Sequence, residues 1–208
     1  MNVYVYIHVC CINNWKEIFL KLYNNIKTSG LYDIIKCIKC NVLTTNYDAL
    51  FFAELDKVEV IGIHHNLDLY ETPTINMLYD HALREDFYVL YMHTKGVKSN
   101  GTNNNVTDWV HYLTYFNVHK HDVCIKYLTD YDTVGVNLHN GETYPVHYSG
   151  NFWWSKSEYI RKVGICVYRH YNSPEFWLTE NRIGNYVCLW NSNVNHYNES
   201  YGESNYAY

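Results

Sequence analysis

Short runs of β-branched and aromatic residues alternate along this chain with segments of helical periodicity, and that alternation restricts the fold more than any other feature. Residues 3–9 alternate and read as a strand. Trp15, Ile18, Phe19, Leu22, Tyr23 and Ile26 then recur at helical spacing, and Gly30 ends that helix. Strands follow at 34–43 and 58–64. Thr72-Pro73 opens a helix, with Pro where its missing N–H costs nothing, and Ile75, Leu78, Tyr79 and Ala82 form its apolar face. Residues 87–92 are a continuous apolar run suited to the middle of a sheet. The order β-α-β-β-α-β predicts an α/β domain, with a mostly parallel central sheet of about six strands flanked by helices. Ligands in such sheets bind beyond the carboxyl ends of the strands. The segments after Val9, His64 and Met92 are therefore the ones to search.

His93-Thr94-Lys95-Gly96 follows the apolar run, then a stretch rich in Asn, Gly and Ser up to Asn105, which reads as a mobile loop over a site. A long helix is expected over 108–128, with Trp109, Leu113, Phe116 and Val123 on its apolar side. Further strands are expected at 133–138 and 150–154. Ser155-Lys156-Ser157-Glu158 has the form of a capping box, and Ser173-Pro174 opens another helix. The segment after Asn191 is polar and reads as a frayed tail. The chain thus divides into one domain, 1–190, and a C-terminal tail, 191–208.

Composition narrows the partners. A chain of 208 residues, 48% hydrophobic and 18% charged, is long enough to bury a core without staples. Its net charge of −5 argues against a nucleic acid polymer, whose phosphates call for a basic surface, and leaves a single nucleotide open. The 23 Tyr suit sugar or base stacking, although a codon bias toward A and T produces the same excess. The apolar run 3–12 is too short to span a bilayer and has no basic flank. A protein without transmembrane segment or signal peptide, in the cytoplasm, is the expectation. Seven Cys, an odd number, then read as reduced thiols, and Cys37-x-x-Cys40 has no second pair with which to bind zinc. His64-His65 and His119-x-His121 lack the spacing of three or four that puts two ligands on one helix face. Phosphate-binding Gly-rich loops and a Gly-x-Ser-x-Gly elbow are missing, which disfavours an NTPase, a dinucleotide dehydrogenase and an α/β-hydrolase.

Five segments stand out together: 91–97 (YMHTKGV), 108–112 (DWVHY), 131–137 (YDTVGVN), 147–154 (HYSGNFWW) and 174–177 (PEFW). In order and spacing they resemble small viral and bacterial glycosyltransferases of the GT-A, Rossmann-like fold, the chlorella-virus capsid-glycosylating enzymes in particular. The resemblance runs from Val3 to about Trp190. It implies a nucleoside-diphosphate sugar donor, a UDP-sugar first, and a glycan or glycoprotein acceptor, such as a viral capsid glycan. For a viral source the location would be the host cytoplasm. The base and ribose would sit near His8, Val9 and Cys10 and near His64 and His65, with the pyrophosphate beside His93, Thr94, Lys95 and Gly96.

This family usually carries an Asp-x-Asp at the last of these places to hold a divalent metal, manganese or magnesium. Here the position reads His93-Thr94-Lys95. Either His93 ligates a metal together with a residue from another loop, or Lys95 neutralises the pyrophosphate as a point charge. A literal Asp-x-Asp, Asp130-Tyr131-Asp132, precedes a strand and so lies at the wrong end of the sheet. An inverting transfer needs a carboxylate base, for which Glu175 leads and Asp108 and Glu180 follow, whereas a retaining one does not. Ser149, Gly150 and Asn151 offer small polar groups to the sugar. Trp109 and one of Trp153 and Trp154, which point to opposite faces of a strand, could form a stacking platform. Two other readings compete: a non-catalytic glycan- or nucleotide-binding module on the same fold, and a metal-dependent hydrolase suggested by twelve His.

Overall fold

β1 (Asn2–Cys10) and β4 (Phe87–His93) lie side by side in the middle of the sheet, buried along almost their whole length. The computed structural model describes residues 1–207. β2 (Ile38–Leu43) and β3 (Val58–His64) continue the sheet beyond β1, and these four strands are parallel. On the other side, β8 (Trp153–Lys156) pairs antiparallel with β4. β5 (Thr133–Gly135) pairs antiparallel with β8, and β9 (Tyr186–Cys188) runs parallel to β5. The sheet has seven strands in the order β3-β2-β1-β4-β8-β5-β9, mixed but mostly parallel.

The two-residue period of β1 sorts its side chains between two cores. Val3, Val5, Ile7 and Val9 face Phe19, Leu22 and Ile26 of α1 (Trp15–Thr28) and Trp109 and Leu113 of α5 (Asn104–Thr114). Tyr4 and Tyr6 face Ile75 and Leu78 of α4 (Thr72–Ala82) and Ile160 of α7 (Ser157–Val163). His8 belongs to that second face, its Nδ1 2.8 Å from the Thr74 hydroxyl.

Several expectations change. The strand expected at 34–43 begins at Ile38, because Leu31–Ile34 forms a helical turn, α2. Another short helix, α3, spans Ala49–Ala53. The long helix over 108–128 is broken: α5 ends at Thr114, a π-turn spans Tyr115–His119, and α6 covers His121–Tyr127. Within the π-turn the Asn117 carbonyl accepts from the Trp154 indole N–H at 2.8 Å, so the wider turn offers the sheet an acceptor. The strand expected at 133–138 stops at Gly135, since Asn137 adopts φ 49°. Leu138–His139 (β6) then pairs with His147–Tyr148 (β7) as a separate hairpin.

β8 starts at Trp153 and not at residue 150, because Gly150 and Asn151 both have positive φ. The capping box does not form. Ser155 lies in β8 with its hydroxyl donating to the Asp132 carbonyl, and Lys156 is the N-cap of α7. Ser173–Phe176 is helical as expected and is α8. The segment after Asn191 does not fray: His196 and Tyr206 are buried, with His196 stacked on Trp109. Among the described residues no helix is long and apolar enough to cross a membrane.

Candidate functional site

A cavity of about 440 Å³ opens at the carboxyl ends of β1 and β4, where the parallel strand order predicts a ligand. The two strand ends are stitched together around Thr94. Its N–H donates to the His8 carbonyl at 3.0 Å, and its hydroxyl accepts from the Cys10 N–H at 3.0 Å. Gly96, at φ 93°, then turns the chain into a short helical turn, Val97–Ser99, along the cavity wall.

The Gly150-Asn151 turn holds the site together. Gly150 has φ 98°, and a Cβ there would lie 2.8 Å from Leu113 and 3.1 Å from Trp109. Only glycine fits, on both backbone and packing grounds. Its N–H donates to Glu175 Oε1 at 2.8 Å, and its carbonyl meets His93 Nε2 at 3.1 Å. Asn151, left-handed at φ 55°, donates from its amide to Glu71 Oε2 at 2.7 Å and accepts the Trp153 indole N–H at 2.8 Å. Tyr91 donates its hydroxyl to the same Glu71 oxygen at 2.7 Å. One turn therefore fixes two carboxylates and a histidine around the cavity.

Burial pushes His93 down to about 3, reinforced by the Lys95 charge and opposed by the Gly150 carbonyl and Glu175. His93 is thus neutral near pH 7 and carries one ring proton. The Gly150 carbonyl can only accept, so that proton sits on Nε2 and leaves Nδ1 as an acceptor. Nδ1 lies 3.9 Å from Glu71 Oε1. Burial likewise holds His8 down at about 4. Lys95 places its ammonium 3.7 Å over the centre of the Trp109 ring. Burial lowers its pKa, while Glu175 and Glu71 hold it up.

The sequence-derived residues divide into two groups. His8, Cys10, His93, Thr94, Lys95, Gly96, Gly150, Asn151 and Glu175 all line the cavity. Val9 points away into the core, because it alternates with its neighbours. His64 and His65 lie outside the cavity lining, and the His65 ring meets the Thr44 carbonyl at 3.0 Å. Ser149 is outside it too, its N–H donating to the Asn137 carbonyl. Asp108 is turned toward the C-terminal segment, where its carboxylate accepts from Ser200. The stacking platform is not present. Trp109, Trp153 and Trp154 are all at most 2% exposed, and Trp153 stacks on Tyr91 within the core.

Four residues of the cavity lining escaped the sequence reading. Glu71 is the N-cap residue of α4, one position before the Thr72-Pro73 start signal. Lys98, from the loop after β4, holds its ammonium 4.2 Å from the Tyr171 ring centre and 5.3 Å from that of Tyr70. These two tyrosines also line the cavity. The legible signal was position: residues before a helix that follows a parallel strand lie at that strand's carboxyl end.

The residues present do not suit a divalent metal. His93 and Glu71 are two donors, and among the described residues no His, Cys, Asp or Glu completes a group of three. An ammonium, Lys95, lines the same cavity. The Asp130-Tyr131-Asp132 segment is at the opposite end of the sheet, where Asp132 Oδ1 pairs with Lys156 at 3.2 Å.

No protein-family model matches this chain, and neither does any curated protein sequence. Among solved structures it is similar to a protein of Desulfovibrio desulfuricans G20 provisionally described as a nucleotide-diphospho-sugar transferase. The TM-score is 0.51 at 12% identity, over 92% of this chain and 82% of that one. HddC from Yersinia pseudotuberculosis matches with a TM-score of 0.48 at 12% identity, over 92% of this chain and 91% of that one. At 12% identity the likeness to the Desulfovibrio protein is one of fold: an α/β domain with a mixed, mostly parallel seven-stranded sheet.

Proposed function

We propose that this chain is a glycosyltransferase that moves a sugar from a nucleoside-diphosphate donor to a glycan or glycoprotein acceptor. One observation carries the reading: a free ammonium, Lys95, and a fixed carboxylate, Glu175, line one cavity at the carboxyl ends of parallel strands. The chemistry needs that pair. Charge accumulates on the departing diphosphate, and a proton must leave the attacking hydroxyl.

The donor's nucleoside would occupy the part of the cavity lined by Ile12, Leu43 and Leu67, next to the end of β1. Its diphosphate would lie against Lys95. The acceptor would approach from the side of Tyr171 and Asn172, placing a hydroxyl at Glu175. On this reading the transfer would invert: the acceptor oxygen attacks the anomeric carbon from the face opposite the diphosphate, and Glu175 takes the proton. Neutral His93 and Glu71 each provide an acceptor for a different sugar hydroxyl. A UDP-sugar is the first donor to test.

The experiment is to incubate the chain with a panel of UDP-, GDP- and dTDP-sugars, with and without glycan acceptors, and to follow nucleotide release. Slow donor hydrolysis without acceptor, abolished in Glu175→Gln, supports a transferase. The missing Asp-x-Asp after β4 favours one alternative, a binding module on the same fold. Such a module would bind a nucleotide sugar and never release the nucleoside diphosphate.

A further inference from the structure

We infer that the diphosphate of the donor is held by Lys95 and Lys98 together, and that transfer proceeds without a divalent cation. This rests on the nucleotide-sugar reading of the cavity and deepens it.

Charge in the cavity is unevenly paired. Glu71 and Glu175 are each satisfied by neutral donors, Glu71 by the Tyr91 hydroxyl and the Asn151 amide, and Glu175 by the Gly150 N–H. The two lysines are not satisfied. Neither ammonium makes a hydrogen bond or an ion pair with any described residue, although both line the cavity. Each lies over an aromatic ring instead, Lys95 at 3.7 Å from the Trp109 centre and Lys98 at 4.2 Å from that of Tyr171. A ring face positions an ammonium but does not neutralise it. Two positioned cations that no carboxylate pairs, in a cavity that also holds Glu71, Glu175 and the exposed Asp68, offer a polyanion two contacts on one loop.

Spacing and chain order add to this. Lys95 follows the last residues of β4, and Lys98 is three positions on, in the turn that starts at Gly96. Both charges therefore ride on one loop at the strand end where a diphosphate would lie. A metal ion there would find two donors, His93 and Glu71, with an ammonium in the same cavity. The lysines supply the same charge compensation without it. As the bond from the anomeric carbon to the β-phosphate oxygen breaks, its electron pair leaves on that oxygen, next to the two ammonium groups. The acceptor oxygen forms the new bond to the anomeric carbon, and its proton passes to Glu175.

The test is calorimetry on the full chain with inorganic pyrophosphate, UDP, GDP and dTDP as separate probes, each in EDTA and again with excess Mn²⁺. Pyrophosphate and at least one nucleoside diphosphate should bind with affinities that agree within about twofold in the two conditions. Lys95→Met keeps the packing over Trp109 and removes the charge, and it should weaken pyrophosphate about tenfold or more. Lys95→Arg should restore most of that loss, which a merely misfolded variant could not do. Lys98→Met, at an exposed position, should weaken binding a few-fold. Binding that appears only with Mn²⁺ overturns the inference and leaves the nucleotide reading standing. So does a Lys95→Met variant that binds pyrophosphate as the parent does in EDTA. If no nucleoside diphosphate binds under either condition, both readings fall.

Discussion

The two ends of the central sheet treat charge in opposite ways. At the amino ends of β1, β4 and β5, anions are matched. Asp86 pairs with Arg161 at 2.7 Å and Asp132 with Lys156 at 3.2 Å. At the carboxyl ends, Lys95 and Lys98 pair with no described anion, and two of the three cavity carboxylates, Glu71 and Glu175 but not Asp68, are held in place by neutral donors. The first arrangement is finished in the folded chain. The second leaves two lysine charges unpaired in an open cavity.

The comparison breaks most directly at Glu175. Glu175→Gln keeps an oxygen for the Gly150 N–H and loses the base, so sugar transfer should fall by roughly a hundredfold or more while donor binding persists. Transfer at the parental rate in that variant would reduce Glu175 to an anchor for the turn. Gly150→Ala should affect both stability and turnover. A methyl group at φ 98° and 2.8 Å from Leu113 should cost on the order of 3 kcal/mol in a denaturant titration. An Ala variant as stable as the parent would show that the turn relaxes freely and does not fix the site.

Acid should weaken the fold through the same region. His93 and His8, held at about 3 and about 4, stay neutral in the native state, whereas the unfolded chain takes up their protons near pH 6.5. Their contribution is complete above about pH 6.5 and is lost as pH falls from there toward those values. Melting temperatures at pH 7.5 and 5 should therefore differ, and by less in His93→Gln, which has no proton to gain. An identical drop in the variant would show that His93 plays no part. The smallest effect belongs to the amino end. Asp86, with its side chain 69% exposed, is in a surface pair, so Asp86→Asn should shift stability by less than about 1 kcal/mol and leave turnover unchanged. A loss of transfer there would erase the distinction between the two ends.

Much of this architecture was legible in the residues themselves. The alternation of Val3, Val5, Ile7 and Val9 against Tyr4 and Tyr6 marked a strand with two covered faces, and Thr72-Pro73 marked the start of α4. These signals are local, since side-chain period and helix-start chemistry are set within a few residues. Placing His93, Thr94 and Lys95 on the cavity at the carboxyl ends of β1 and β4 needed only one further rule, that ligands of parallel sheets bind there. Tertiary structure decided the rest. Glu71 and Asn151 are 80 positions apart and meet only because the sheet brings α4 beside the turn before β8. The residues 186–188 became a seventh strand only because β5 offered an edge. The polar C-terminal segment was buried only because Trp109 and Tyr112 presented faces for His196 and Tyr206. The tryptophans that composition offers to a sugar went into the core for the same reason. Their large apolar area gains more from packing between strands and helices than from an open cavity, and no local pattern records which neighbours will be there to cover it.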